Sequence, residues 1–597
     1  MSKKKIPISY TARDFNSIKE GLVDHARRYY PDTYKDFSEA SFGSLLLDSV
    51  AYIGDVLSYY LDYQVNESFL DTAIEKQNVI SLARSMGYKY NESITSYGIC
   101  EFYVTVPSNV QTGAPDYDYM PILRQGSAFS SEDGGRYTLI EDVIFDSPDN
   151  ATIVMEVDES SGAPTKFAIR ALGQIKSGFV EEVTVPVGSF ERFKSVTLDV
   201  ENASEIVDIT DAEGNRYYEV QHLSQDVIYT DVSNRNADMK FVKNILKPLS
   251  VPRRFVADFF EGGVEIQFGQ GSDDNITSGS YEDPSKVVIN QFGTQYISDN
   301  EFDPTNLTST TKMGISPSNT TLLVRVRRDD REVTNSAVGT VTIASDPVFT
   351  FPDETVLIAS KRQGVVGSIE VFNPEQILGD LEIPDSEEII ERAKSQFASQ
   401  NRAVTMQDYK SMVYSMPAKF GGIKRCRVDV DKDSFKRNIN LYITSEDLEG
   451  NLTNCNQTQK HNLKHWIEHY RMMADSFDIL DASIVNIGIN YQLITDASYN
   501  SSEAITICNR EISEYFRIHP EIGEALFLND IYKLLGNLDF VIDVTDVEVV
   551  NVSGDGYSSV AFDIQEGLSM DGRTLTLPFD HVYELKFPDT DIQGTVL

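Results

Sequence analysis

The chain is poor in positive charge: 52 Lys and Arg stand against 92 Asp and Glu in 597 residues, a formal charge of -40. A phosphate backbone would be repelled over most of such a surface, so nucleic acid is not an expected partner. The basic run Lys3 to Lys5 is too short, and too near a terminus, to change that. Cysteine is also scarce. Cys100, Cys426, Cys455 and Cys508 have no metal-type pairing, which fits buried free thiols in a reducing environment and argues against a disulfide framework. Long apolar runs are missing as well. The opening MSKKKIPISY has none of signal-peptide length, and no later stretch approaches the roughly 20 apolar residues of a membrane span. The expectation is a chain made and kept in a soluble, cytoplasm-like compartment, with no membrane span. No short-period repeat or low-complexity tract points to a solenoid.

What is present is a folding composition. Hydrophobic residues make up 41% and aromatics 10%, which excludes an acidic disordered chain. The length suits roughly four domains, each with a core of its own. The pattern predicts a multidomain α+β protein. Residues 1–95 form an N-terminal helical domain, 96–250 a β-rich domain, 251–380 a second β-rich domain, and 381–597 a C-terminal α+β module. The helical period runs from Ser38 to Gly87, with a second helix opening near Asp71 on a Thr72–Glu75 capping box and stopping at Gly87. Short β-prone runs such as EFYVTV and SVTLDV follow, divided by turn residues. Near Pro384 the helical period returns in DSEEIIERAKSQFASQ, and Thr405 with Asp408 caps a short helix ending before Pro417. The last part alternates strand and helix, including the strand IVNIGINYQLI and helices over 457–473 and 502–519.

The first helix carries two apolar rows. Leu46, Val50, Ile53, Leu57, Tyr60 and Leu61 form the main stripe. Leu45, Tyr52, Val56, Tyr59 and Tyr63 run beside it, and Asp48, Asp55 and Asp62 lie on the far side. Together the rows cover roughly 200° of the helix, wider than the stripe of a surface helix packed on one side. The helix is expected to pack on two sides, either within this chain or against another subunit, and the tyrosines suit an interface. Leu45, Tyr52, Val56, Tyr59 and Tyr63 are the candidate subunit-packing residues. Asn66-Glu67-Ser68 is the corner leading to the next helix.

Sites of chemistry are weaker. His461, His465 and His469 recur every four residues, and a pair so spaced could share a zinc ion. The apolar stripe of Leu463, Trp466, Ile467 and Tyr470 puts them on a wet face instead. Asp429, Asp431 and Asp433 imitate the start of a calcium loop, but Ser434 and Asn440 stand where Gly and Glu are needed, so an acidic hairpin turn is expected. In FGQGSDDN, Asp273 and Asp274 would repel a phosphate, and a tight turn after the strand Val264 to Phe268 is the better reading. No nucleophile elbow or Walker loop is present. No catalytic, cofactor-binding or metal residue is assigned.

The segment Phe42 to Tyr90, with GSLLLDSVAYIGDVLSYYLDYQVNESFLDTA and ISLARSMGY, resembles the N-terminal signature of baseplate wedge proteins of contractile-tailed bacteriophages, the baseplate J-like family. Phe268-Gly269-Gln270-Gly271 looks like the family's Phe-Gly-Asp-Gly turn, with Gln270 in place of the acid. NSAVGTVTI, Asn335 to Ile343, is similar to the Asn-Gly-type segment that follows it, with Ser336 in place of Gly. Arg402 to Tyr409, RAVTMQDY, resembles the Arg-x-Val-Thr-x-x-Asp-Tyr element. The likeness spans about residues 37–550 and leaves out the last fifty. It implies a non-enzymatic scaffold, the large wedge subunit of an elaborate baseplate, located in the virion tail and assembled in the host cytoplasm. The implied partners are a second copy in dimer contacts within a ring, other wedge subunits, a sheath-initiating subunit, and the central hub as a further candidate. The implied action is a ring around the hub that rearranges to trigger sheath contraction. It also implies that the helices from Ser41 to Gly87 pack in the wedge and that the C-terminal module makes the dimer contacts. Abundant aromatics, carboxylates and β-rich middle domains motivate one alternative, a virion-associated glycan-active enzyme or receptor-binding tail protein.

Overall fold

The computed structural model describes residues 14–30, 41–90, 94–109, 111–160, 162–233, 244–260, 262–272, 313–330, 333–355, 357–431, 438–496, 499–554 and 556–597. Within them the order is helices, then a β-rich body, then an α+β region, as expected from the sequence. The helices of eight residues or more are α1 (Phe15–Tyr29), α2 (Phe42–Asn66), α3 (Lys76–Ser85), α4 (Ala359–Val366), α5 (Ser386–Ser399), α6 (Met406–Tyr414), α7 (Gln457–Glu468), α8 (Ser501–Phe516) and α9 (Leu528–Gly536). The chain divides into two compact units: Met1–Tyr90 with Pro384–Gln400, and Asn91–Ile383 with Asn401–Leu597.

In the first unit Asp14 and Ser41 cap α1 and α2, their side chains accepting from the Ser17 and Ser44 amides. Ser38, where the helical period was expected to open, lies outside the described residues. The second helix starts later than expected. α3 begins at Lys76, and neither Thr72 nor Glu75 caps it through a side chain. Glu67 does that work from across the corner. Its carboxylate accepts from the Ile74 and Glu75 amides and from Asn78 Nδ2, at 2.9, 3.3 and 2.8 Å. Gly87 stops α3 as expected: at φ +96° it lets the Tyr88 amide reach the Ala83 carbonyl and its own amide the Arg84 carbonyl, a Schellman ending. The core of this unit joins Val79, Ile80, Ala83 and Tyr88 to Ile389 and Ala393 of α5.

The second unit begins with a sheet ordered Val341–Asp346, Ala128–Ser131, Arg136–Leu139, Pro164–Ser177, Tyr97–Pro107, Glu370–Phe372. Asn373 draws its two ends together, its Oδ1 accepting from the Val341 amide and its carbonyl from the Gly339 amide. Phe102, Phe129, Tyr137, Ile169 and Val365 of α4 fill the interior. A second sheet, Phe179–Val187, Thr320–Arg328, Ala203–Asp211, Arg216–Glu219, Arg254–Phe260, Gly263–Phe268, Ser195–Leu198, packs its own core of Ile209, Tyr217, Phe255, Phe268 and Val324. In sequence the second sheet lies between the strands of the first. The crossing is at Gly178, where φ is +80° and an added Cβ would stand 2.6 Å from the Arg328 carbonyl oxygen.

The C-terminal region has two halves. Asn438–Glu446 pairs antiparallel with Arg425–Val430 and parallel with Ser476–Asp481, α7 making the crossover and α6 packing beside it. The Thr405–Asp408 capping box forms as expected. Ser483–Thr495 is the centre of the second half, antiparallel to Val541–Asn551 and parallel to His581–Glu584 and Ile592–Val596, with α8 and α9 on its core.

Candidate interaction surface

The described environment of α2 inverts the usual logic of an amphipathic helix. Ser44, Ala51 and Gly54 lie on one face, and their small size lets α1 approach. Ser44 and Ala51 are buried, and a Cβ at Gly54 would come within 3.2 Å of Ile18 Cδ1. Lys19 of α1 pairs with Asp48 at 2.8 Å on the same side. So α1 covers the acid-bearing face around Asp48, while Asp62 further along that face is exposed. At 100° per residue the two apolar rows span the opposite arc, and most of both is exposed: Leu46, Val50, Ile53, Leu57, Tyr60 and Leu61 of the main stripe, and Leu45, Tyr52 and Tyr59 of the second row. Tyr59 is 68% exposed and Leu61 67%. Val56 and Tyr63 are half-buried. Helix α2 contains no Lys or Arg, so nothing charged interrupts the arc.

The tyrosines are ordered among themselves. Tyr59 stacks on Tyr63 with ring centroids 6.5 Å apart and meets Tyr60 edge-on at 6.1 Å. The Tyr63 hydroxyl donates to Glu75 Oε1 at 3.0 Å, which raises its pKa. Asn78, Ile74 and Glu75 all donate to Glu67 and hold its carboxyl below the ordinary range. The corner Asn66-Glu67-Ser68 is therefore tied to the start of α3, and it fixes where the tyrosine flank ends. The exposed arc is wide, continuous and uncharged, unlike apolar residues scattered singly over a surface.

The other sequence candidates fall elsewhere. His461, His465 and His469 sit on the exposed face of the α7 segment, opposite buried Leu463 and Ile467. His465 and His469 meet edge-on at 5.0 Å. Asp429 and Asp431 border a hairpin between Arg425–Val430 and Asn438–Glu446, as expected, while Asp433 and Ser434 lie outside the described residues. Asp273 and Asp274 also lie outside them. Gly269 has a packing reason: an added Cβ would overlap the Gly314 carbonyl.

Asn335 proves to be a buried joint. Its Oδ1 accepts from Ser96 Oγ and the Asp380 amide, and its Nδ2 donates to the carbonyls of Asp380 and Glu446, all within 3.0 Å. Asp380 and Glu446 of this network had no sequence signal, because Asn335 stands 45 and 111 residues away from them.

The class defined so far is a helical module with an exposed apolar helix, joined to a large β-rich and α+β body. Residues 14–85 match the family described as bacteriophage baseplate protein, N-terminal domain, and that match supports a structural role in a virion tail baseplate. No curated protein matches the chain. Among solved structures, a cryo-EM structure of the anti-feeding prophage baseplate is similar at 8% identity and TM-score 0.27, over 95% of this chain and 90% of that one. A type VI secretion TssK-TssF-TssG baseplate subcomplex is similar at 8% identity and TM-score 0.24, over 74% and 96%.

Proposed function

We propose that this chain is a wedge subunit of a contractile-tail baseplate, of the baseplate J-like type, whose chemistry is association and rearrangement and not turnover. The observation that carries the proposal is the bare apolar arc of α2 inside the segment that matches a baseplate N-terminal domain. In this reading Leu45, Tyr52, Val56, Tyr59 and Tyr63, with the main stripe beside them, pack into a helical bundle with a second copy and a smaller wedge partner. The C-terminal α+β module makes the dimer contacts that continue a ring around the hub. A sheath-initiating subunit sits nearby, the ring widens to release sheath contraction, and assembly takes place in the host cytoplasm.

Electron microscopy of the chain co-expressed with its neighbouring tail proteins tests this. Wedge or ring particles that contain α2 in a multichain bundle are the expected result. Monomeric particles with α2 still bare would overturn it. Incubation with host envelope polysaccharide tests the other class: reproducible cleavage that disappears on carboxylate substitution would replace the scaffold with a glycan-active enzyme.

A further inference from the structure

The strand Ala151–Val157 is exposed along all seven residues. It pairs on one side with Pro164–Ser177, and no other strand pairs with it among the described residues. Its side chains are not those of a protected edge. Ile153 is 68% exposed and Met155 65%, and Val154 and Val157 are exposed too. The ladder is regular from Ala151 to Val154, then shifts register around Met155. Proteins blunt open edges with charge, proline or bulges. Here the bulge guards only the far end, and Glu156 is engaged by Lys166 at 2.7 Å. A regular, β-branched, unpaired edge is a template for an added strand.

Charge selects the occupant. Asp146 and Asp149 stand exposed just before the strand, and Glu159 just after it. Two copies pairing edge to edge would set acid against acid at both ends, whether the strands ran parallel or antiparallel. That repulsion disfavours a second copy. A strand with Lys or Arg at its ends meets the same acids as counter-charges. We propose that the Ala151–Val157 edge takes up an extended segment of a partner protein, apolar at alternate positions and basic at both ends. This surface lies in the β-rich body and does not depend on the reading of α2.

The probe is a fluorescent peptide of alternating Val and Thr with paired lysines at each end, titrated with the full chain and followed by anisotropy. A control peptide has glutamates in place of the lysines. The lysine-ended peptide is expected to bind and to weaken as salt rises; the glutamate-ended peptide is expected not to bind. Ile153→Lys with Met155→Lys places charge on the edge and should weaken binding about tenfold. Because both side chains are exposed, thermal unfolding should stay close to the parent's and confirm that the variant folds. Tyr52→Ser with Tyr59→Ser should bind the peptide like the parent, which separates this surface from α2. Equal binding of both peptides, unchanged binding by the edge variant, or no binding would overturn the proposal. So would a dimer of the parent that the edge variant abolishes, since a second copy would then be the occupant.

Discussion

Two residues show how far a motif can be converted into physics. In Phe268-Gly269-Gln270-Gly271 the glycine at 269 faces the backbone of Gly314, where any Cβ would overlap a carbonyl. Backbone cannot move aside as a side chain tip can. Gly269→Ala should therefore destabilise the second unit by about 2–4 kcal/mol, read as an earlier midpoint in denaturant. Asn335 was legible as part of a motif, but its role was not, since Ser96, Asp380 and Glu446 reach it only in the fold. Asp380 beside it is buried, and burial pushes its carboxyl up to about 7 against the donated Thr334 and Leu381 amides. The direction for stability follows. Below about pH 4 the group is protonated in folded and unfolded chains alike. Between about 4 and 7 the unfolded chain ionises first, so the folded state loses ground as pH rises. Asp380→Asn removes this titration. Its stability relative to the parent should improve by about 2–3 kcal/mol between pH 5 and 8 in urea unfolding. A flat difference would mean that the carboxyl is already ionised in the fold.

Among the elements, α2 is where sequence and structure part most instructively. Its two apolar rows and its corner at Asn66-Glu67-Ser68 were legible from spacing alone. The identity of the covered face was not. Periodicity marks where apolar residues are, and says nothing about what covers them. In α2 the small residues Ser44, Ala51 and Gly54 set the approach of α1, leaving the wide arc bare. The start of α3 was missed for a related reason. Propensity pointed to Thr72 and Glu75, while a buried carboxylate eight residues upstream of Glu75 took the amides. These facts separate stability from assembly. Tyr52 and Tyr59 are exposed, so Tyr52→Ser with Tyr59→Ser should change unfolding of the isolated chain by only about 0.5 kcal/mol. If α2 docks another subunit, the same change should remove or reduce the complex with co-expressed wedge partners in light scattering. Complexes of unchanged size would show that the tyrosine flank is not the interface.

Across the whole molecule, the helical, β-rich and α+β order was readable because it rests on local periods. The pairing of the β-rich body was not, since its second sheet arises between strands of the first and pairs, for example, Ala203 with Arg328. What joins the two sheets is equally non-local. Lys176 of the first sheet and Arg327 of the second both hold Glu205, at 2.7 and 2.8 Å. Arg327 also donates to Thr138 and to the Ser177 and Gly178 carbonyls at the crossing. Burial lowers the Lys176 ammonium to about 8, with Glu205 opposing it; burial would raise the Glu205 carboxyl, but Lys176 and Arg327 hold it ionised below its usual range. The cluster places one carboxylate between two cations. Glu205→Gln keeps the shape but leaves two largely buried positive charges facing each other. The loss should be about 3–5 kcal/mol, larger than for an exposed pair such as Arg362 with Glu354, where Glu354→Gln should cost at most about 1 kcal/mol. Calorimetry of the two variants checks the ranking. If Glu205→Gln melts with the parent, the sheets are held by apolar packing alone and the ion cluster is a passenger at the crossing.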